Sequence, residues 1–517
     1  MIIEAPRIKK AFLAKIETLL GSNGYSTKTI DRFNYTRDSN FRSTIKAYYN
    51  KTEAAPDLIV WPKNTEQVQK LVKLAIRHRV PIVPFGGGSG VSGGTIAVKG
   101  GMIIDMKRMH RILKLDTKNL LVTAQAGMLG KILEDELQRQ GYTLGHFPSS
   151  ILCASLGGYL AARSAGQQSS RYGKIEDMVR EMEVVTGRGE IVNTRDVSNT
   201  SGMDLNQIFV GSEGTLCLFT TATLKIYPLP ETQNFQSVRF KNMRTAIEAI
   251  RRIMQLGIKP SVVRLYDKLD SLLLLSTKSP SRKKRDDLTD ILSKLIKYQS
   301  LKTALAMPQF LSALVHAVST GCVVIFVFEG HKRIVKEEER LVMEISKNMG
   351  GETLGPDPAK HWMENRYRVS YEASPLFYHG LFTDTIEVAG TWDVLPVLYK
   401  EMIKSLSQHA LIMAHLSHVY MDGGSFYFTF VAPLTGSKKT EILYDKIWDK
   451  AMKLVQKLGG VISHHHGIGR LKMKHMATEW GNGAEIYLKL KHYYDPYGIM
   501  NPGKLYSADK KIMEKAA

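Results

Sequence analysis

Cysteine is scarce in this chain. Cys153, Cys217 and Cys322 are the only three among 517 residues, far apart and in apolar or glycine-containing surroundings. An odd and small number cannot build a disulfide framework, so a reducing, cytoplasmic compartment is expected. The N-terminal MIIEAPRIKKAFLAKIETLLG lacks the basic, apolar, small-residue order of a secretory leader, and its apolar residues recur at helical spacing instead. Acidic residues are also in short supply. The chain has 49 Asp and Glu against 71 Lys and Arg, a formal charge of +22 spread along its length. Such a surface favours phosphorylated metabolites or an anionic membrane face. Zinc-finger spacing and RNA-binding signatures are absent, so no nucleic-acid partner is expected.

Long apolar runs are nearly missing. Residues 303–328 carry no formal charge, yet Pro308, Gln309, His316 and Ser319 to Gly321 interrupt the stretch. A bilayer-spanning helix needs about 20 predominantly apolar residues, so a helix followed by a core strand, CVVIFVFEG, is the better reading. The preceding SPSRKKRDD, residues 279–287, reads as a polar basic loop that faces solvent or lipid head groups. Peripheral contact with an anionic membrane therefore stays open.

What is present is an alternation of strand and helix patterns from residue 55 to residue 227. APDLIVWP reads as a strand, NTEQVQKLVKLAIRHR as a helix opened by Asn64 and Thr65, and VPIVPF as a second strand. GGGSGVSGG follows, Gly86 to Gly94. Without Cβ atoms such a run approaches a ligand closely and turns its amides into one concavity, which suits a pyrophosphate. No GK(S/T) follows, so it is not a Walker loop, and no long helix opens at its end, as a Rossmann fingerprint requires. By itself a glycine-rich turn is more often structural than a cofactor site.

Three further stretches accompany it: PDLIVWP at 56–62, SLGGYLAARSAGQQSSRYG at 155–173, and GSEGTLC at 211–217. In order and spacing, the four together resemble the vanillyl-alcohol-oxidase-type FAD flavoproteins. The resemblance implies an α+β fold: a PCMH-type FAD-binding domain of two subdomains, plus a cap domain built on an antiparallel sheet with flanking helices. It implies an N-terminal helical segment at 1–50, the FAD domain at 51–230, the cap at 231–457, and a C-terminal segment at 458–517 returning to the FAD domain. By the same resemblance Phe85, Gly86, Gly87, Gly88, Ser89 and Gly90 wrap the pyrophosphate. Ser149, Ser150, Ser155, Gly157 and Gly158, with Ala162, Arg163, Ser164 and Ala165, line the flavin and ribityl chain. Glu213, Gly214, Thr215, Leu216, Cys217 and Phe219 hold the adenosine side. Cys217 departs from the usual glycine. Many relatives tether FAD through a histidine in the first glycine loop, and Phe85 to Gly94 has none, so non-covalent FAD is expected.

Two branches of that family compete for the second half. D-2-hydroxy-acid (D-lactate, glycolate) dehydrogenases place a divalent metal over the flavin, with ligands from a His-containing GDGN stretch and a Glu-His-Gly stretch. Here the corresponding segments read HLSHVYMDGGSFYFTF and SHHHGIG, with Tyr427 in place of a histidine and His465 in place of the glutamate. Zinc would also lack cysteine or carboxylate at ligand spacing, so no metal is expected. The alkyldihydroxyacetonephosphate (alkylglycerone-phosphate) synthases carry a similar Ser-His-His-His-Gly run, and PSVVRLYD and FEGHKRIVKEEE also resemble that branch. It implies exchange of the acyl group of acyl-dihydroxyacetone phosphate for a long-chain alcohol through a flavin N5 adduct, a step in ether-lipid synthesis. Tyr427 is the candidate acid/base phenol, oriented by His464, His465 and His466, with Ser425 two residues earlier on the same strand face. Arg264 is a candidate phosphate or histidine contact, and Arg366, with Arg368, a weaker substrate contact.

Structural readings stand beside these. A tyrosine in FYFTF is commonly core or sheet surface, and an arginine at a strand end is commonly a surface ion-pair partner. In an extended segment alternate side chains diverge, so three adjacent histidines cannot all meet one ligand. A D-2-hydroxy-acid oxidoreductase remains the alternative enzyme, and an FAD-bearing binding protein the non-enzymatic one. A homodimer stays open as a partner arrangement.

Overall fold

The computed structural model describes residues 3–194, 202–276, 321–368 and 374–507. They form two compact units. The first gathers Met1–Gly166, Gly173–Pro228 and the chain from His465 onward; the second takes Gln167–Tyr172 and Leu229–His464.

In the first unit, β1 (Tyr25–Ser26), β2 (Leu58–Val60), β3 (Ile82–Phe85) and β4 (Met102–Asp105) make a sheet in the order β1-β2-β4-β3. β2 and β3 both run parallel to β4, and β1 pairs antiparallel with β2. The helix Thr65–His78 connects β2 to β3, and the Asn64 side chain caps it by accepting from the Gln67 amide at 2.9 Å. Such a cap is worth about 1 kcal/mol. Parallel strands covered on both faces read as continuous apolar runs. Alternate residues therefore go to different cores: Leu58, Val60, Ile82 and Ile104 to one, Ile59, Val83, Phe85 and Ile103 to the other. The amphipathic helix expected near the N-terminus is Lys10–Leu20, and it packs Phe12 and Ile16 into the first of these cores. Burying each stabilises by roughly 1.5–3 kcal/mol. This helix thus shares a core with the strands that follow.

Next come β5 (Ile112–Asp116), β6 (Leu121–Gln125), β7 (Tyr142–Thr143), β8 (Val179–Thr186), β9 (Ile191–Asn193), β10 (Cys217–Lys225) and β11 (Tyr227–Pro228). Five of them form an antiparallel sheet in the order β5-β6-β10-β8-β9, while β7 and β11 pair with each other.

The second unit is built on one antiparallel sheet. Its strands are β12 (Thr232–Phe240), β13 (Val262–Tyr266), β14 (Cys322–Gly330), β15 (Glu352–Thr353), β16 (Leu381–Thr391), β17 (Leu411–Val419) and β18 (Gly423–Pro433), in the order β15-β12-β14-β13-β17-β18-β16. Helices Met243–Gln255, Lys332–Asn348, Val394–Leu406 and Ser437–Lys457 accompany it. The CVVIFVFEG run is β14, with Cys322 to Glu329 buried. Residues 279–287 and 303–320 lie outside the described residues, and among those described no helix is long and apolar enough to cross a membrane. In β18 the alternation decides the faces. Phe426, Phe428 and Phe430 are fully buried on one side, leaving Ser425, Tyr427 and Thr429 on the other.

Candidate functional site

The glycine loop of the first unit lies directly on the turn at 153–155. A Cβ on Gly87 would fall 1.7 Å from the Cys153 carbonyl oxygen, and one on Gly86 would fall 2.2 Å from Ser155 Oγ. Gly88 has φ +64°, where side chains are disfavoured. Ser155 caps the helix Leu156–Ala162, accepting from the Gly158 amide. Outside the loop, the Ser39 amide donates to the Gly88 carbonyl at 3.1 Å and Asn40 Nδ2 to the Val91 carbonyl at 2.8 Å. The loop is also joined to the chain after the histidines. Ser92 Oγ donates to the carbonyls of His466 and Gly467, and the Arg470 amide donates to the Ser92 carbonyl. The buried Glu213 carboxylate accepts from the amides of Ile468 (2.5 Å) and Gly469 (2.7 Å), and Asn501 Nδ2 donates to the carbonyls of Gly94 and Glu213. Burial pushes the Glu213 carboxyl above its ordinary range, and the two amides oppose that rise.

In the second unit, register aligns one polar row across four strands. Tyr266 of β13 is opposite His415 of β17, His415 opposite Tyr427 of β18, and Tyr427 opposite Glu387 of β16. The His415 and Tyr427 rings stack with centroids 5.1 Å apart and planes at 19°. A register shift between Leu416 and His418 skips Ser417. That bulge puts His418 beside Ser425, on the Tyr427 face, where simple alternation would have sent it to the other side. His418 Nδ1 pairs with Ser169 Oγ at 2.9 Å, which is also 3.0 Å from Tyr420 Oη. The His464 ring lies 5.6 Å from that of His418 and 5.4 Å from that of Tyr420. Glu387, fully buried, accepts from Ser425 Oγ (2.9 Å), Ser463 Oγ (3.3 Å) and the His464 amide (2.9 and 3.1 Å). Arg264 Nε donates to Tyr266 Oη at 3.1 Å, and its guanidinium lies 5.2 Å from the Trp362 ring centre. Burial raises the Tyr427 phenol well above its ordinary value; Glu387 adds to the rise and Arg264 opposes it. The row therefore presents a protonated phenol at neutral pH.

Two family matches decide the lineage. Residues 56–195 match the FAD binding domain, and residues 229–505 match the C-terminal domain of FAD linked oxidases. The chain belongs to the FAD-linked oxidase family. Alkyldihydroxyacetonephosphate synthase of Dictyostelium discoideum is 30% identical over 99% of this chain and 83% of its own. The uncharacterized FAD-linked oxidoreductase YgcU of Escherichia coli K12 is 30% identical over 96% of this chain and 95% of its own. Glycolate oxidase subunit GlcD of Bacillus subtilis is 25% identical over 89% and 91%. A solved alkyldihydroxyacetonephosphate synthase superposes with a TM-score of 0.77 at 28% identity, covering 97% of this chain and 86% of that one.

This member of the family takes FAD, and two observations in the first unit fit that guest. The loop at Gly86 and Gly87 leaves no room for a Cβ, and His146 Nδ1 is buried with no hydrogen-bond partner among the described residues. His146 Nε2 pairs with Ser164 Oγ at 3.1 Å, and burial with His465 nearby pushes its pKa down to about 3. Phe85 and Ala165 are buried, while Ser89, Gly90, Ser149, Ser150, Gly157 and Ala162 lie along the loop, the turn and the helix that follow. Other expected cofactor residues are occupied in holding the backbone. Glu213 serves the turn at 468–469, Arg163 pairs with Glu176, and Thr215 Oγ1 donates to the Ser212 carbonyl and accepts from Tyr487 Oη. Gly214 packs on Pro84, Leu216 and Phe219 are buried, and burial pushes the Cys217 thiol far up.

The three histidines divide. The His464 amide is held by Glu387 in the second unit, whereas His465 and His466 begin the chain's return to the first, their rings edge to face at 4.8 Å. Arg366 bonds locally, to the Met363 carbonyl at 2.7 Å, and its own carbonyl accepts from Gln167. Sequence reasoning passed over Glu387, His415, His418, Ser92 and Asn501. Only the HLSH spacing carried a signal for two of them.

Proposed function

We propose that the protein exchanges the acyl group of acyl-dihydroxyacetone phosphate for a long-chain alcohol, making an ether on a phosphorylated, lipid-like ketone. The observation that carries this reading is the Tyr427 row itself: a half-buried phenol flanked by imidazoles, next to a carboxylate already engaged by Ser425, Ser463 and the His464 amide. A group of this kind donates and retrieves a proton at the leaving and entering oxygens. Reduced FAD, when bound, supplies the nucleophile for the carbon that changes partners. Arg264, whose fork suits oxyanions, and Arg366 are the candidate phosphate contacts. His464, whose ring lies beside those of His418 and Tyr420, orients the phenol's surroundings. The identity with the synthases over nearly the whole chain supports the same conclusion.

A D-2-hydroxy-acid dehydrogenase is the second reading, and the GlcD likeness is what favours it. Incubation with acyl-dihydroxyacetone phosphate and hexadecanol separates the two. Fatty acid release with ether formation is expected, together with no anaerobic bleaching of the flavin by D-lactate or glycolate. Rapid bleaching and no fatty acid would reverse the assignment. The +22 charge supports peripheral docking on anionic lipid, where such substrates reside. Cosedimentation with phosphatidylserine vesicles, lost at high salt, is expected; equal binding to neutral vesicles would refute it.

A further inference from the structure

His415 flanks Tyr427 with ring centroids 5.1 Å apart, and the proposed reaction has so far given it no role of its own. The rings are near parallel, which fixes the phenol plane as long as the imidazole is itself held. Asp270, on the helix Lys268–Ser276, holds it: Oδ2 is 2.7 Å from His415 Nδ1, and the two side chains are only 16% and 15% exposed. A carboxylate only accepts, so Nδ1 carries the proton and Nε2 keeps its lone pair. Sheet packing alone does not call for this arrangement. A largely buried ionisable pair is no more stabilising than well-packed apolar residues of similar size.

We propose that the Asp270–His415 pair is a positioning device for Tyr427, locking a neutral imidazole in the Nδ1–H tautomer flat against the phenol. This rests on the reading of Tyr427 as the acid/base group. The groups facing His415 are Arg264 and Tyr266 from β13, Asp270 from the helix and Tyr427 from β18. Burial lowers the His415 pKa, Asp270 opposes that, and Arg264 reinforces it, so the ring stays uncharged at neutral pH. An uncharged ring leaves the phenol protonated, where the positive charge of an imidazolium would favour the phenolate.

Two measurements on the FAD-loaded protein test the pair. Nitrogen-15 histidine spectra, assigned with His415→Gln, should show His415 as the neutral Nδ1–H tautomer at pH 7. An Nε2–H tautomer or a charged ring would overturn the proposal, whatever reaction the protein catalyses. In steady-state assays Asp270→Ala should lower kcat about 100-fold, the scale of a misplaced reacting group, with KM and flavin content unchanged. Asp270→Asn, which keeps an acceptor for Nδ1, should recover most of that loss. A native kcat in Asp270→Ala, or equal losses in both variants, would overturn it. Absence of synthase turnover in the unaltered protein would instead count against the function, and the spectra would still decide the tautomer.

Discussion

In the proposed reaction, Tyr427 is the residue on which most of the chemistry depends. Replacing it with Phe removes the phenol proton and little volume, so FAD content and melting temperature should hold while turnover falls by about 100-fold or more. Full turnover in Tyr427→Phe would remove it from the reaction. A second residue-scale consequence concerns Asp267. It is fully enclosed, accepts from the amides of Ala414 (2.8 Å) and Asp270 (2.9 Å), and is pushed up to about 8, first by burial and then by Asp270. Its folded pKa lies above the unfolded value near 4, so the folded chain holds the extra proton between about pH 4 and pH 8. Its contribution to stability is therefore full at low pH and is lost as pH rises through 8. Asp38, pushed up to about 6 by burial, acts in the same sense over a narrower range. Urea midpoints should fall from pH 5 to pH 8.5, and the fall should be smaller in Asp267→Asn. An equal or larger fall in that variant would contradict the assignment.

The glycine loop shows how an element carries function through packing. Gly87 faces backbone at 1.7 Å, which cannot yield as a flexible side chain would, whereas Gly90 has its nearest neighbour, Asp38 Oδ2, at 3.8 Å. Gly87→Ala should therefore lose most bound flavin, read as the visible-to-ultraviolet absorbance ratio, while Gly90→Ala keeps it. Equal retention in both would mean that the turn at 153–155 does not support the cradle. Elements whose signal is local were legible beforehand. Asn64 opens the helix Thr65–His78, CVVIFVFEG is a core strand, and the alternation of GSFYFTF gives β18 its two faces. The β17 bulge was not legible. LIMAHLSHV opens on an apolar run and sets Ser417 next to His418, which does not say which of the two is out of step, and only pairing with β18 shows that Ser417 is skipped and His418 turned toward Tyr427.

For the whole molecule, the loop from Phe85 to Gly94 carries no histidine to tether the flavin. Acid precipitation should release all the yellow colour into the supernatant, and colour retained in the pellet would show a covalent bond from another residue. Motif order along the chain was enough to indicate the FAD-linked family, its α+β class and the flavin, because each motif is a local requirement of backbone geometry: a glycine where no Cβ fits, a cap where amides need an acceptor. The polar row is of a different kind. His415 meets Asp270 from 145 residues away, and Glu387 meets the His464 amide from 77 residues away. Which strands become neighbours, in what register and with what bulge, is decided by burial of both sheet faces at once, and no local stretch of sequence contains that information. So the sequence by itself determined the cofactor and the lineage. Only the tertiary structure decided where the three histidines divide, that Glu387 anchors the first of them, and that His415 lies against Tyr427.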